Sequence, residues 1–97
     1  MVVVYADKDL KEAMGDEKLL LKLHGKLRST ILLRRIQTIK VVEKVEELKL
    51  FPGRFHELTG DRAGQWACDL DQPYRLVFEE LPEETVRILE IVNYHGK

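Results

Sequence analysis

The first half of the chain carries the hydrophobic spacing of helices, after a short apolar start. The β-branched run Val2–Tyr5 predicts a first strand. Asp7 or Asp9 can then cap a short helix that continues to about Met14, because an aspartate side chain accepts hydrogen bonds from the first free N–H groups of a helix. The pattern therefore predicts a strand followed at once by a helix.

A longer helical pattern runs from Glu17 to about Leu48, with an interruption near Gly25. Asp16 can cap its first turn. Apolar residues recur in it at three- and four-residue steps, at Leu20, Leu23, Leu27, Ile31, Leu32, Ile36 and Ile39. This stripe predicts the side of the helices that packs on the core.

After Gly53 the hydrophobic period changes from helix to strand. Strands are predicted at Phe55–Leu58, around the alternating Trp66, Cys68 and Leu70, from Tyr74 to Glu79, and at Thr85–Tyr94, the longest. Turns rich in glycine, proline and acidic residues separate them. The expected fold class is α+β, with an N-terminal strand and helices packed on an antiparallel sheet and residues 1–97 forming a single domain.

Composition and cysteine content place the chain in a broad class. Its 97 residues are 44% hydrophobic and 34% charged, as in an ordinary soluble globular protein. No segment approaches the roughly 20 apolar residues of a membrane helix, and the apolar start lacks the basic region of a signal peptide. The single cysteine, Cys68, alternates with core positions and is interpreted as a small core residue. We expect a cytoplasmic protein with no membrane partner.

The net charge of −1 conceals an uneven distribution of cations. Between Lys18 and Val42 the chain has seven cations and no acidic residue. Two interpretations remain open: a solvated helical face, which is the usual meaning of such a run, or a surface that faces nucleic acid, because local basic clusters attract phosphates. The candidate RNA-binding residues are Lys22, Lys26, Arg34 and Arg35, which fall largely off the apolar stripe.

Side chains suited to RNA cleavage gather in the second half of the chain. They are His56, Arg62, Arg75, Tyr94 and His95. Histidine exchanges protons near neutral pH, arginine holds a phosphate with a planar set of donors, and tyrosine can stack on a base. Together these groups can cleave RNA without a metal. The histidines have no ligand-like spacing, so neither a metal site nor a cofactor is expected.

Three segments carry a resemblance to a known family: His56–Trp66, Tyr74–Phe78 and the terminal Asn93–His95. With the opening Tyr5–Leu10, they resemble the HigB-type toxins of the RelE superfamily, in order and over nearly the whole chain. The resemblance implies a RelE-like fold and a ribosome-dependent endoribonuclease, an mRNA interferase that cleaves mRNA in the decoding site. It also implies a partner antitoxin, usually a helix-turn-helix protein of the HigA type.

The resemblance also assigns the site. It places all five candidate side chains at or near the active site. The chemistry of metal-free RNA cleavage, which needs a base and an acid, favours His95 as the base and His56 as an acid or phosphate donor, with the opposite assignment left open. Two positions depart from the family pattern, since relatives often have aspartate where this chain has Asn93 and lysine where it has Thr59. Both departures leave fewer ionisable groups at the site.

Other interpretations of these residues stay open. A protein of this fold can bind DNA gyrase, as ParE-type toxins do, or can only occupy its antitoxin. His56 can simply hydrogen-bond the turn that follows it, and His95 can be a solvated tail residue. Arg75 can pair with Glu57 or Asp69 across the sheet.

Overall fold

The chain folds into two layers, with helices packed on one face of a five-stranded sheet. The computed structural model describes residues 1–94. The helices are α1 (Lys8–Met14) and α2 (Glu17–Val41), with short 3-10 helices at Val45–Leu50 and Gly60–Arg62. The strands are β1 (Val2–Tyr5), β2 (His56–Glu57), β3 (Gln65–Asp69), β4 (Tyr74–Leu81) and β5 (Thr85–Asn93). The α+β fold class is confirmed. Within this range neither helix combines the length and apolar character that crossing a bilayer requires.

The strands lie in the order β1-β5-β4-β3-β2. β2 to β5 form the predicted antiparallel meander. β1 instead runs parallel to β5, with Val2 opposite Thr85 and Tyr5 opposite Ile88. Periodicity alone does not predict this pairing, because it depends on where the chain returns after it has passed through the helices and the meander.

Aspartates start both helices. Asp7, rather than Asp9, caps α1, since its carboxylate accepts hydrogen bonds from the backbone N–H groups of Asp9 and Leu10. Asp16 caps α2 and accepts from the N–H of Leu19 at 3.2 Å. The sequence therefore predicted both helix starts correctly.

The helical pattern predicted from Glu17 to about Leu48 corresponds to an α-helix and a separate short 3-10 helix. α2 ends at Val41, and the region up to Leu48 contains a 3-10 helix instead. The N-terminal ammonium group of Met1 donates to the carbonyl oxygens of Lys40 and Val42, at 2.8 and 3.1 Å. This contact supplies hydrogen bonds to carbonyls at a helix end, which have no partner within the helix.

Gly25 divides α2 as predicted, with φ 77° and ψ 168°. This conformation is essentially restricted to glycine. It interrupts the regular helical spacing, and Leu23 and Leu27 on either side of it are 51% and 65% exposed. The predicted stripe is wrong at these two positions, whereas four others are buried in the core: Leu20, Leu32, Ile36 and Ile39.

The core lies between α2 and the helix-facing side of the sheet. The centroid of the Phe78 ring lies 6.2 Å from that of Phe55 and 6.4 Å from that of Trp66. Cys68 belongs to the same cluster, and burial raises the pKa of its thiol to about 12. A thiol with this pKa is not an active nucleophile near neutral pH, so Cys68 is a core residue as predicted.

Candidate active site on the outer face of the sheet

The sheet has a second face that points away from the helices, here called the outer face. Strand pairing sets His56, Ala67, Val77 and Glu90 in one row across it. Ala67 and Val77 are fully buried although they lie outside the helix-side core, so longer neighbouring side chains cover them. The outer face therefore has an apolar floor with an ionisable group at each end of this row.

Arg75 and Tyr94, two of the five candidate site residues, come together on the outer face. The guanidinium carbon of Arg75 lies 5.4 Å from the centroid of the Tyr94 ring. Its Nε also lies 2.9 Å from Oδ1 of Asp69, the residue directly opposite on β3. Within residues 1–94 this oxygen has no hydrogen-bond partner of acceptable geometry, so the contact is an ion pair and not an aligned hydrogen bond. The cross-strand pair considered for Arg75 is thus present and coexists with the Tyr94 contact.

Arg62 reaches the outer face from the 3-10 helix between β2 and β3. Its Nη1 donates to Oε1 of Gln65 at 2.7 Å, and its Nη2 donates to Oε2 of Glu90 at 2.5 Å. Gln65 and Glu90 belong to β3 and β5, on either side of β4. The guanidinium is therefore held across the middle of the sheet, on the same face as Arg75.

Glu90 is a residue of this face that the sequence analysis does not identify. The apolar residues of the last strand occupy both odd and even positions, so their alternation does not show on which face of the sheet Glu90 lies. The available signal was that it is the only ionisable residue between Ile88 and Val92. An irregularity in the register next to Val77 brings its carboxylate to the outer face.

His56 lies at the β2 edge of the outer face. Its Nδ1 lies 2.6 Å from the carbonyl oxygen of Arg54, not at the turn that follows. Because a carbonyl only accepts, Nδ1 carries a proton and Nε2 is the nitrogen left for proton exchange. β2 is three strand spacings from β5, about 14 Å, so His56 is separated from Tyr94. His95 lies outside the described residues.

Arginines of the outer face are already paired with carboxylates. Within residues 1–94 the pairs are Arg62 with Glu90, Arg75 with Asp69, Arg87 with Glu79 and, at 3.7 Å, Arg54 with Asp69. Exposed ion pairs contribute only about 0–1 kcal/mol to stability. This face can therefore bind phosphate, but its positive charge is partly neutralised in the free protein.

The candidate RNA-binding cations lie on the helical side of the molecule, away from the outer face. Lys22, Lys26 and Arg34 are exposed on α2. Arg35 is half-buried, and its Nε donates to the carbonyl oxygen of Asp69 at 2.8 Å. It also packs against Gly53, where a Cβ would lie only 2.6 Å from Nε. Arg35 is therefore a structural link between α2 and the end of β3, and three of the four candidate cations are exposed to solvent.

A separate ionic cluster joins α2 to the turn before β4. Arg28 donates two hydrogen bonds to Asp71, at 2.8 and 3.1 Å, and its guanidinium carbon lies 3.6 Å from the Tyr74 ring centroid. The hydrogen bond from Arg28 lowers the pKa of Asp71. His24 is half-buried near this cluster rather than fully on the surface, and burial, followed by the charge of Arg28, lowers its pKa. The cluster braces the helical layer against the sheet.

No group of three or more histidine, cysteine, aspartate or glutamate side chains in residues 1–94 is arranged to hold a metal ion. The groups that the outer face offers are guanidinium, imidazole, phenol and carboxylate. Guanidinium groups can bind a phosphate, an imidazole can exchange a proton, and a phenol ring can stack on a base. This chemistry suits recognition of a nucleic-acid backbone.

The chain is similar in fold to several solved structures, one of which is a toxin. A YoeB/ParE toxin from Agrobacterium tumefaciens matches it with a TM-score of 0.70 and 14% identity, over 97% of this chain and 99% of that one. The YoeB-YefM complex from Staphylococcus aureus matches with a TM-score of 0.68 and 10% identity, over 97% of each chain. A conserved hypothetical protein from Helicobacter pylori matches with a TM-score of 0.55 and 21% identity, over 98% of this chain and 96% of that one. No family model and no curated protein matches the sequence. At these identities the likeness shows a shared fold.

Proposed function

We propose that this chain is the toxin of a type II toxin–antitoxin system and cleaves mRNA on the ribosome. The observation that carries the proposal is the placement of Arg62, Arg75 and Tyr94 on one face of the sheet. They supply two phosphate-binding groups and an aromatic ring for a base. The fold supports the proposal, since a YoeB/ParE toxin and the YoeB-YefM complex share it.

The proposed reaction is an internal transesterification of the RNA backbone. The 2′-oxygen of one nucleotide attacks the adjacent phosphorus, and its proton passes to a base. The bond between phosphorus and the 5′-oxygen breaks, and an acid protonates that oxygen. The products are a 2′,3′-cyclic phosphate and a 5′-hydroxyl, and no metal takes part.

Each side chain of the site has a proposed role in this scheme. Arg62 and Arg75 stabilise the negative charge that develops on the phosphate oxygens. Tyr94 stacks on the nucleotide or orients it. Nε2 of His56, at the β2 edge, protonates the leaving oxygen or binds a phosphate. His95, the proposed base, takes the proton of the 2′-hydroxyl.

The proposed partners are an antitoxin and the ribosome. The sequence motifs favour a HigB-type toxin, whose antitoxin is a helix-turn-helix, HigA-like protein. The similar YoeB-YefM structure is a complex of a protein of this fold with a second protein. Lys22, Lys26 and Arg34 are exposed on the side opposite the outer face, so they can contact ribosomal RNA while the outer face holds mRNA.

The ion pairs of the outer face favour a second candidate function. Because the arginines there already have carboxylate partners, the chain can be a non-enzymatic protein of the same fold. Such a protein would bind only its antitoxin, or DNA gyrase. The histidines and Tyr94 have no role in that function.

Expression of the chain without a partner separates these functions. The proposal expects growth arrest and mRNA fragments with 5′-hydroxyl and 2′,3′-cyclic phosphate ends, and in a purified translation system it expects cleavage only when ribosomes are present. Fragments with 5′-phosphate ends would contradict internal transesterification. Arrest with intact mRNA and altered DNA supercoiling would favour gyrase binding, and normal growth would favour antitoxin binding alone.

A further inference from the structure

The ion pair between Arg62 and Glu90 is much more exposed to solvent than the neighbouring pair of Arg75 and Asp69. The side chains of Arg62 and Glu90 are 38% and 44% exposed, whereas those of Arg75 and Asp69 are 13% and 15% exposed. A phosphate that approaches the outer face can therefore reach Arg62 directly. Arg75 offers much less accessible surface, so of the two candidate site arginines Arg62 is the one that an incoming RNA backbone meets first.

We propose that Glu90 is a built-in competitor for the RNA phosphate at Arg62. This inference rests on the proposed function for the identity of the polyanion. A carboxylate and a phosphate bind the same donors of a guanidinium group. In the free protein Glu90 occupies Nη2 and Gln65 occupies Nη1. When RNA binds, its phosphate replaces the carboxylate at Nη2, and Gln65 continues to orient the guanidinium.

The exchange is possible because the pair is weak. Water and salt screen a half-exposed ion pair, so its loss is easily compensated by a new one. The displaced carboxylate remains close to the bound phosphate and repels it. Glu90 therefore keeps the affinity for free RNA low, and further contacts, such as those of the exposed cations on α2 with ribosomal RNA, are required before mRNA is held firmly on the outer face.

Glu90→Gln tests the proposal, because glutamine keeps the size of the side chain and an acceptor for Arg62 but removes the charge. Glu83→Gln is the matched control, since it removes one negative charge from the exposed turn between β4 and β5. The probe is a short fluorescent DNA strand, which lacks the 2′-hydroxyl and cannot be cleaved. Glu90→Gln should bind it about three- to fivefold tighter than wild type. Glu83→Gln should bind like wild type.

Salt titration gives an independent readout of the same competition. In wild type, phosphate binding at Arg62 frees the carboxylate of Glu90, and this carboxylate takes up a cation from solution. The uptake offsets the cation that the nucleic acid releases on binding. Without that carboxylate, the slope of log affinity against log salt should become more negative by about 0.7 in Glu90→Gln. The slope of Glu83→Gln should equal that of wild type.

A double-variant cycle shows whether Glu90 acts through Arg62. In an Arg62→Gln background, the further change Glu90→Gln should add less affinity than it does in wild type, because no guanidinium remains to be liberated and only the repulsion between the carboxylate and the phosphate is relieved. Glu90→Ser repeats the test if the glutamine variant fails to fold. Three results would overturn the proposal. They are an equal gain in affinity in both backgrounds, an affinity of Glu90→Gln equal to that of Glu83→Gln, and weaker binding by Glu90→Gln than by wild type. Because the probe reports binding alone, lack of mRNA cleavage by wild type would refute the proposed function without producing any of these results.

Discussion

Nε of Arg35 on α2 donates a hydrogen bond to the carbonyl oxygen of Asp69 at 2.8 Å. The carboxylate of the same Asp69 lies 2.9 Å from Nε of Arg75 on the outer face. Asp69 also donates its backbone N–H to the carbonyl oxygen of Gly53 at 2.7 Å. A helix residue on one side of the sheet therefore anchors the strand end that orients a candidate site arginine on the other side.

Replacement of Arg35 should destabilise the protein, and replacement of its neighbour should not. Arg35→Gln removes the donor to the Asp69 carbonyl, so we expect the free energy of unfolding to fall by about 1–3 kcal/mol. Arg34→Gln, on the exposed side of the same helix, should change it by less than about 0.5 kcal/mol. Urea denaturation of both variants measures the difference. Equal effects would mean that the Arg35 contact contributes nothing beyond its charge.

The pair between Arg28 and Asp71 should make stability depend on pH in the acid range. Folding lowers the pKa of Asp71, so the ionised carboxylate stabilises the folded state. This contribution is complete well above the unfolded pKa of about 3.9 and is lost as the pH falls through the lowered folded value. Wild type should exceed Asp71→Asn by about 1 kcal/mol at pH 7, and the two should converge in acid.

Thermal denaturation of wild type and Asp71→Asn from pH 7 downwards measures this convergence. Asp61→Asn is the control, because Asp61 is an exposed residue of the turn before β3. The melting temperature of Asp61→Asn should differ little from that of wild type at every pH. A gap between wild type and Asp71→Asn that persists unchanged in acid would show that ionisation of Asp71 is not its source.

Tyr94 should contribute to RNA binding through its ring. Its contact with Arg75 places the ring beside a phosphate-binding group on the outer face. Tyr94→Ala should weaken binding of a non-cleavable RNA by about 1–3 kcal/mol, the typical contribution of one stacked base. Tyr94→Phe keeps the ring and should bind like wild type. If only the hydroxyl matters, the phenylalanine variant will lose binding as well, and stacking is not the role of Tyr94.

The exposed cations of α2 should contribute to ribosome binding without a part in the chemistry. The triple change of Lys22, Lys26 and Arg34 to glutamine should reduce the slope of log affinity against log salt by about 2. Lys8, Lys11 and Lys44, also exposed, provide a control of equal charge loss. The two triple variants are compared by ribosome co-sedimentation at several salt concentrations. Equal losses of ribosome affinity in the two triple variants would indicate a general effect of charge, with the α2 cations forming only a solvated helical face.

Both site histidines should act on rate and have little effect on stability. His56→Asn keeps a donor near the position of Nδ1 for the Arg54 carbonyl but removes Nε2. We expect His56→Asn and His95→Gln each to reduce mRNA cleavage by about 10²–10⁴-fold, the usual contribution of general acid–base catalysis. His24→Gln, away from the outer face, is the control. A fully toxic and equally stable His95→Gln would remove His95 from the mechanism.

Local sequence features determined most of the secondary structure. An aspartate at each helix start, a glycine at the break in α2 and the change of period after Gly53 were all readable, because each acts within a few residues of the chain. The pairing of Arg75 with Asp69, and the approach of Tyr94 to Arg75, were also foreseeable from strand alternation. The assignment of the site residues to catalysis remains a prediction.

The tertiary structure decided which groups from separate elements meet. Arg34 and Arg35 are alike in sequence, yet only Arg35 finds a carbonyl partner on the sheet. Glu90 faces Arg62 because of an irregularity in the register next to Val77, and Leu23 and Leu27 on either side of the break at Gly25 are exposed although they belong to the apolar stripe. Hydrophobic spacing within an element shows which residues can share a face. The contacts between faces depend on register and packing, which arise only when the whole chain buries its core.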